Sequence, residues 1–137
     1  MTDQEFVTAL ETCRLPNEDF HHRDHIRLAW IYLRQQGFPE AAARLVESIR
    51  RYAAHYGAAQ KFHQTITMAW LALVEDARRR APMGASFEDL LRAFPELLNL
   101  KALDEYYSSA VLDSAAARDT FVAPDKRSLP GSIRVTV

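Results

Sequence analysis

What most constrains this chain is where its helix breakers fall. Among 137 residues there are 6 prolines and 4 glycines, and between Pro16 and Pro82 only Gly37, Pro39 and Gly57 interrupt the sequence. Three long stretches remain, rich in Ala, Leu, Arg and Glu, which lose least on entering a helix. The spacing predicts a helix from about His21 to Gln36, stopped at Gly37. A second opens with Pro39 in its first turn and ends at Gly57. A third runs from about Lys61 to Arg80, before Pro82. Its residues Ile66, Trp70, Leu73, Val74 and Ala77 form one apolar stripe. Ahead of these, Thr2 and Glu5 make a capping-box pattern for a helix over about residues 3–13, with Phe6, Leu10 and Cys13 on one face. Leu15-Pro16-Asn17 breaks that helix. After Pro82, Ser86 with Asp89 caps a short helix ending before Pro95, and shorter pieces follow near 96–107 and 114–120. The expected fold is all-α, a bundle of three long helices with shorter C-terminal helices and an irregular tail.

Length and a hydrophobic content of 48% suffice for one domain with a real core. We place that domain at 1–121 and the tail at 122–137. The tail contains Pro124, Pro130 and Gly131 and ends in the alternating run Ile-Arg-Val-Thr-Val. A lone strand must dock or pair with a partner chain, so a homodimer is an open possibility. The formal net charge is −1, which provides no basic field for nucleic acid. No apolar run approaches the ~18 residues of a membrane span. The single cysteine, Cys13, and the polar start Met-Thr-Asp-Gln-Glu carry the expectation of a cytoplasmic protein.

All five histidines lie between positions 21 and 63: His21, His22, His25, His55 and His63. If the three long helices pack up-down-up, the first turns of the first and third lie at the same end as the last turn of the second. His22 and His25, spaced i and i+3, then share a face and meet His63. Three neutral imidazoles with an open position can hold Zn, Fe or Cu, activating water or polarising a substrate. Thr65, Thr67 and Gln64 would position substrate or water. Asp19, Asp24 and His55 would orient the rings from behind, and Phe20, Phe62 and Trp70 would line the pocket. The expected activity is that of a small metal-dependent enzyme on a small organic molecule. Three other readings stay open. Two helix N-termini favour an anion over a bare cation, so the same end would serve a non-enzymatic module that binds an anionic ligand or a protein partner. A metal-free site with His22 or His63 as base is another. In the last, the rings cap backbone groups and pack on Phe20, Phe62 and Trp70.

The segments Phe20-His21-His22-Arg23-Asp24-His25, Leu28-Ala29-Trp30 and Phe62-His63-Gln64-Thr65-Ile66-Thr67, with Trp70, together resemble an uncharacterised family of short bacterial all-helical proteins. Its pattern is F-x-H-x-x-H…L-A-W…[FY]-H-x-T-x-T…W, and the likeness extends to Tyr106-Tyr107 and to Phe121–Asp125. Members of that family often carry Glu after the third histidine. The corresponding Gln64 can hydrogen-bond a ligand but cannot serve as a carboxylate base.

The remaining features read as structural. Arg78-Arg79-Arg80 suits a solvated helix C-terminus. Arg44, Arg50 and Arg51, interleaved with Glu47, read as an exposed face. Cys13 reads as a buried small residue. There is no glycine-rich phosphate loop and no nucleophile elbow.

Overall fold

The computed structural model describes residues 1–130, and among them it is all helical, with no strand. The Ile-Arg-Val-Thr-Val run lies outside the described residues. The chain divides into two compact units, Met1–Phe62 and His63–Val137.

In the first unit, α1 (Asp3–Glu11) starts at the expected capping box. The Glu5 amide donates to Thr2 Oγ1 at 3.1 Å, and the Thr2 amide to Glu5 Oε1 at 2.8 Å. Cys13 follows with φ +60°. This is the left-handed conformation that glycine usually supplies at a helix end, and the Arg14 amide closes it on Ala9 O at 2.8 Å. Cys13 is partly exposed rather than buried. Helix α2 (His22–Gln35) and helix α3 (Phe38–His55) are separated by two residues. Gly37 does not close α2 in a left-handed turn. Its extended backbone caps the start of α3, and Pro39 sits in the first turn. Gly57, with φ +71°, does end α3 as expected.

Helices α1 and α2 both pack on α3. Phe6, Val7, Leu10, Ile26, Leu45 and Tyr52 are among the buried residues. A polar knot joins the three helices. Tyr32 Oη donates to Glu11 Oε2 at 2.6 Å and lies 2.9 Å from Ser48 Oγ. Arg44 donates to the same Glu11 oxygen at 2.9 Å, and its guanidinium lies 4.1 Å from the centre of the Tyr32 ring. Burial, then the Glu11 carboxylate, push the Tyr32 hydroxyl above its ordinary range. Arg44 is therefore an interhelical tie, not part of a solvated face, and sequence spacing gave no sign of it.

The second unit is built on α4 (Gln64–Arg80). Helix α4 starts later than expected, at Gln64, because His63 takes the N-cap position. Helix α5 (Phe87–Ala93) begins at the reciprocal Ser86–Asp89 cap. Two 3₁₀ turns, Pro95–Leu98 and Ala102–Glu105, precede α6 (Ser109–Leu112) and α7 (Ala115–Asp119). Helix α7 and the second of those turns pack on α4. Residues 122–130 are tied back within this unit. Tyr107 Oη donates to Val122 O at 2.7 Å, the Ser108 amide to Asp125 Oδ1 at 2.8 Å, and the Lys126 amide to Tyr106 O at 2.9 Å. No helix of the described residues is long and apolar enough to cross a membrane.

Candidate functional site

The two units hold different parts of the expected histidine set. In the first unit, His22 and His25 lie one turn apart at the start of α2. The Asp24 carboxylate accepts the His21 backbone N–H at 2.9 Å. Asp24 therefore closes the helix start, while His21 and Asp19 are exposed. The His25 imidazole stacks on Phe20, ring centres 4.0 Å apart. Phe20 in turn meets the Tyr52 ring edge-on at 4.9 Å. Tyr52 and Tyr56 are 5.0 Å apart, and each hydroxyl donates to Leu15 O at 2.8 Å. His55 is exposed and lies against Tyr56 at 4.8 Å. The reason for this wall is local. Tyr52 and Tyr56 are i and i+4 near the end of α3, and the loop after α1 brings Leu15 O to them. Sequence reasoning named Phe20 and His55 as site residues and named neither tyrosine, although their spacing was a usable signal.

The surroundings set the protonation of His25. Burial first, and then the charge of His22, lower its pKa from 6.5 to about 4, against a smaller opposing effect of Asp24. At neutral pH it is an uncharged donor. Phe62, the last residue of this unit, is buried with the Arg50 guanidinium 5.1 Å from its ring centre.

In the second unit, His63 is buried and both its ring nitrogens are engaged. Nδ1 accepts the Ile66 amide at 3.1 Å, and Nε2 lies 2.7 Å from Leu112 O. The only assignment that satisfies both contacts is the Nε2–H tautomer. His63 thus starts α4 and ties it to α6. Thr65 is fully buried; its hydroxyl donates to Thr120 O at 2.8 Å and accepts the Val122 amide at 3.0 Å. Thr67 Oγ1 donates to His63 O at 2.8 Å. Gln64 and Trp70 are partly exposed on α4. The two threonine hydroxyls expected to hold substrate are thus bonded to backbone in the structure.

Among the described residues, no group of three or more His, Cys, Asp or Glu side chains is placed to hold a metal ion. Comparisons with protein-family models, curated proteins and solved structures find no match for this chain.

Proposed function

We propose that the His22–His25 turn holds a divalent transition metal, Zn, Fe or Cu, and that the chain uses it as a small metal-dependent enzyme on a small organic molecule. The observation that carries this reading is the placing of two imidazoles, His22 and His25, one turn apart at the start of α2. A metal takes the neutral imidazole, the form in which burial holds His25 at neutral pH. Its ring is held on Phe20, and His22 is one helical turn away. Two imidazoles leave the other coordination positions to water and substrate. The same neutrality speaks against an anion pocket that relies on imidazolium charge.

The reading has two forms. In the two-histidine form the first unit suffices. In the three-histidine form His63 is the third ligand, which requires the bundle of three long helices expected from sequence and the release of at least one of the His63 hydrogen bonds. Such a bond contributes only about 1 kcal/mol net, small beside the ~10 kcal/mol or more available to a structural zinc site.

Calorimetric titration of Zn²⁺ into the full chain at pH 7 tests the proposal. We expect saturable binding, weakened by about tenfold or more in His22→Ala and in His25→Ala, the effect of disturbing a ligand shell. Loss in His63→Ala as well selects the three-histidine form; unchanged binding selects the two-histidine form. His22 and His25 are both only partly buried, and either variant serves if the other unfolds. A wild-type chain that takes up no Zn²⁺, Co²⁺ or Cu²⁺ overturns the reading.

A further inference from the structure

The second unit carries a cavity of about 420 Å³ with no histidine in its lining. It opens beside the C-terminal half of α4, and Leu73, Ala77 and Leu97 give it an apolar floor. That volume falls in the range of small-ligand pockets, which combine an apolar body with a few polar anchors. The anchors here are charged. Asp76, Glu96 and Glu105 line the cavity against Arg80 and Arg127, so carboxylates outnumber guanidiniums by three to two.

The two arginines show what the walls attract. Arg80 pairs with Asp76 at 3.3 Å, and its guanidinium lies 5.0 Å from the Phe94 ring centre. Arg127 pairs with Glu105 at 3.5 Å and lies 5.8 Å from the Tyr106 ring centre. Each cation is thus held by one carboxylate and one aromatic face, the pairing that recognises ammonium groups. Both arginines are held loosely at the rim. Their side chains are 65% and 68% exposed, whereas Asp76 is 16% exposed. The Arg127–Glu105 pair is exposed on both sides and weak; in the Arg80–Asp76 pair the arginine is exposed, so Arg80 can turn to solvent when a ligand cation takes the Asp76 carboxylate. Glu96 adds a carboxylate for which the lining holds no further guanidinium.

We propose that this cavity binds a small organic ammonium compound, with its charged nitrogen on Asp76 and its apolar body against Leu73, Ala77 and Leu97. The site lies wholly in the second unit and does not depend on the histidine reading.

The test uses 2-phenylethylammonium on the full chain, with 3-phenylpropanoate as a control of similar size and opposite charge, followed by amide NMR shifts and calorimetry. The ammonium should bind saturably, with shifts centred on 73–80 and 94–106, and the carboxylate should not. Asp76→Asn should weaken binding by about tenfold or more, since it removes a largely desolvated charge partner. Glu96→Gln lies at an exposed position and leaves the fold intact. It should weaken binding by a smaller factor, which keeps the test decisive if the Asp76 variant unfolds. The proposal is overturned if the ammonium does not bind, if 3-phenylpropanoate binds more tightly, or if neither substitution changes the affinity.

Discussion

At the scale of single residues, His25 links structure to pH most directly. Its folded-state pKa is lowered from 6.5 to about 4, so between those values the unfolded chain binds a proton that the folded chain refuses. Stability from this group is therefore complete above about pH 6.5 and is lost as pH falls toward 4, by an amount on the order of 2–3 kcal/mol. Urea unfolding with chelator present, at pH 7 and pH 4.5, should show that His25→Phe loses less stability than wild type over the interval. Parallel losses would sink the assignment. The place of His25 was legible because an i, i+3 histidine pair opening a helix is a local pattern. Its neutrality was not, because it comes first from burial, under a Phe20 ring that is backed by Tyr52, and then from the charge of His22. Contacts between residues of different elements leave no periodic trace. Arg44 shows the same limit. Its spacing along α3 was that of a surface residue, yet it packs on the Tyr32 ring and bonds Glu11.

Among helices, the starts were the most readable feature and the source of one misplacement. The Thr2–Glu5 and Ser86–Asp89 boxes are written within four residues and fold as written. His63 is an N-cap too, but histidine is not among the residues favoured there, so α4 was expected to begin at Lys61. The cap explains why the position carries histidine apart from any metal. The ring accepts the Ile66 amide on one side and reaches Leu112 O on the other. Asn at this position can supply the cap but is too short to bond Leu112. His63→Asn should therefore cost about 1 kcal/mol, for the bond to α6 alone, whereas His63→Ala should cost about 2 kcal/mol, for the cap and the bond together. Denaturant midpoints on the two variants check this. Equal losses would mean that His63 does not act as a cap.

Over the whole molecule, charge is nearly balanced, with 17 Lys and Arg against 18 Asp and Glu, and its placement decides how stability responds to salt. Pairs such as Arg51–Glu47 and Arg92–Asp89 join side chains that are each 47% or more exposed. Such pairs contribute about 0–1 kcal/mol each and are screened. The all-helical class was legible because composition and breaker spacing report on the whole chain at once. The interior charges were not, since Glu75 reads in sequence as one more residue of a charged helix end. It is only 3% exposed and meets Arg78 at 2.6 Å, with Arg79 at 3.9 Å. A partner removed from a buried carboxylate leaves a desolvated charge, whereas salt reaches exposed pairs and barely touches a buried one. Raising NaCl from about 0.05 to about 0.5 M at pH 7 should therefore change the unfolding free energy by less than about 1 kcal/mol. Arg78→Ala should cost more than that, about 2 kcal/mol, with Arg79 recovering part of the loss. If salt proved the larger of the two effects, the surface pairs would be holding the helices, and the buried Glu75 carboxylate would not be what fixes the end of α4.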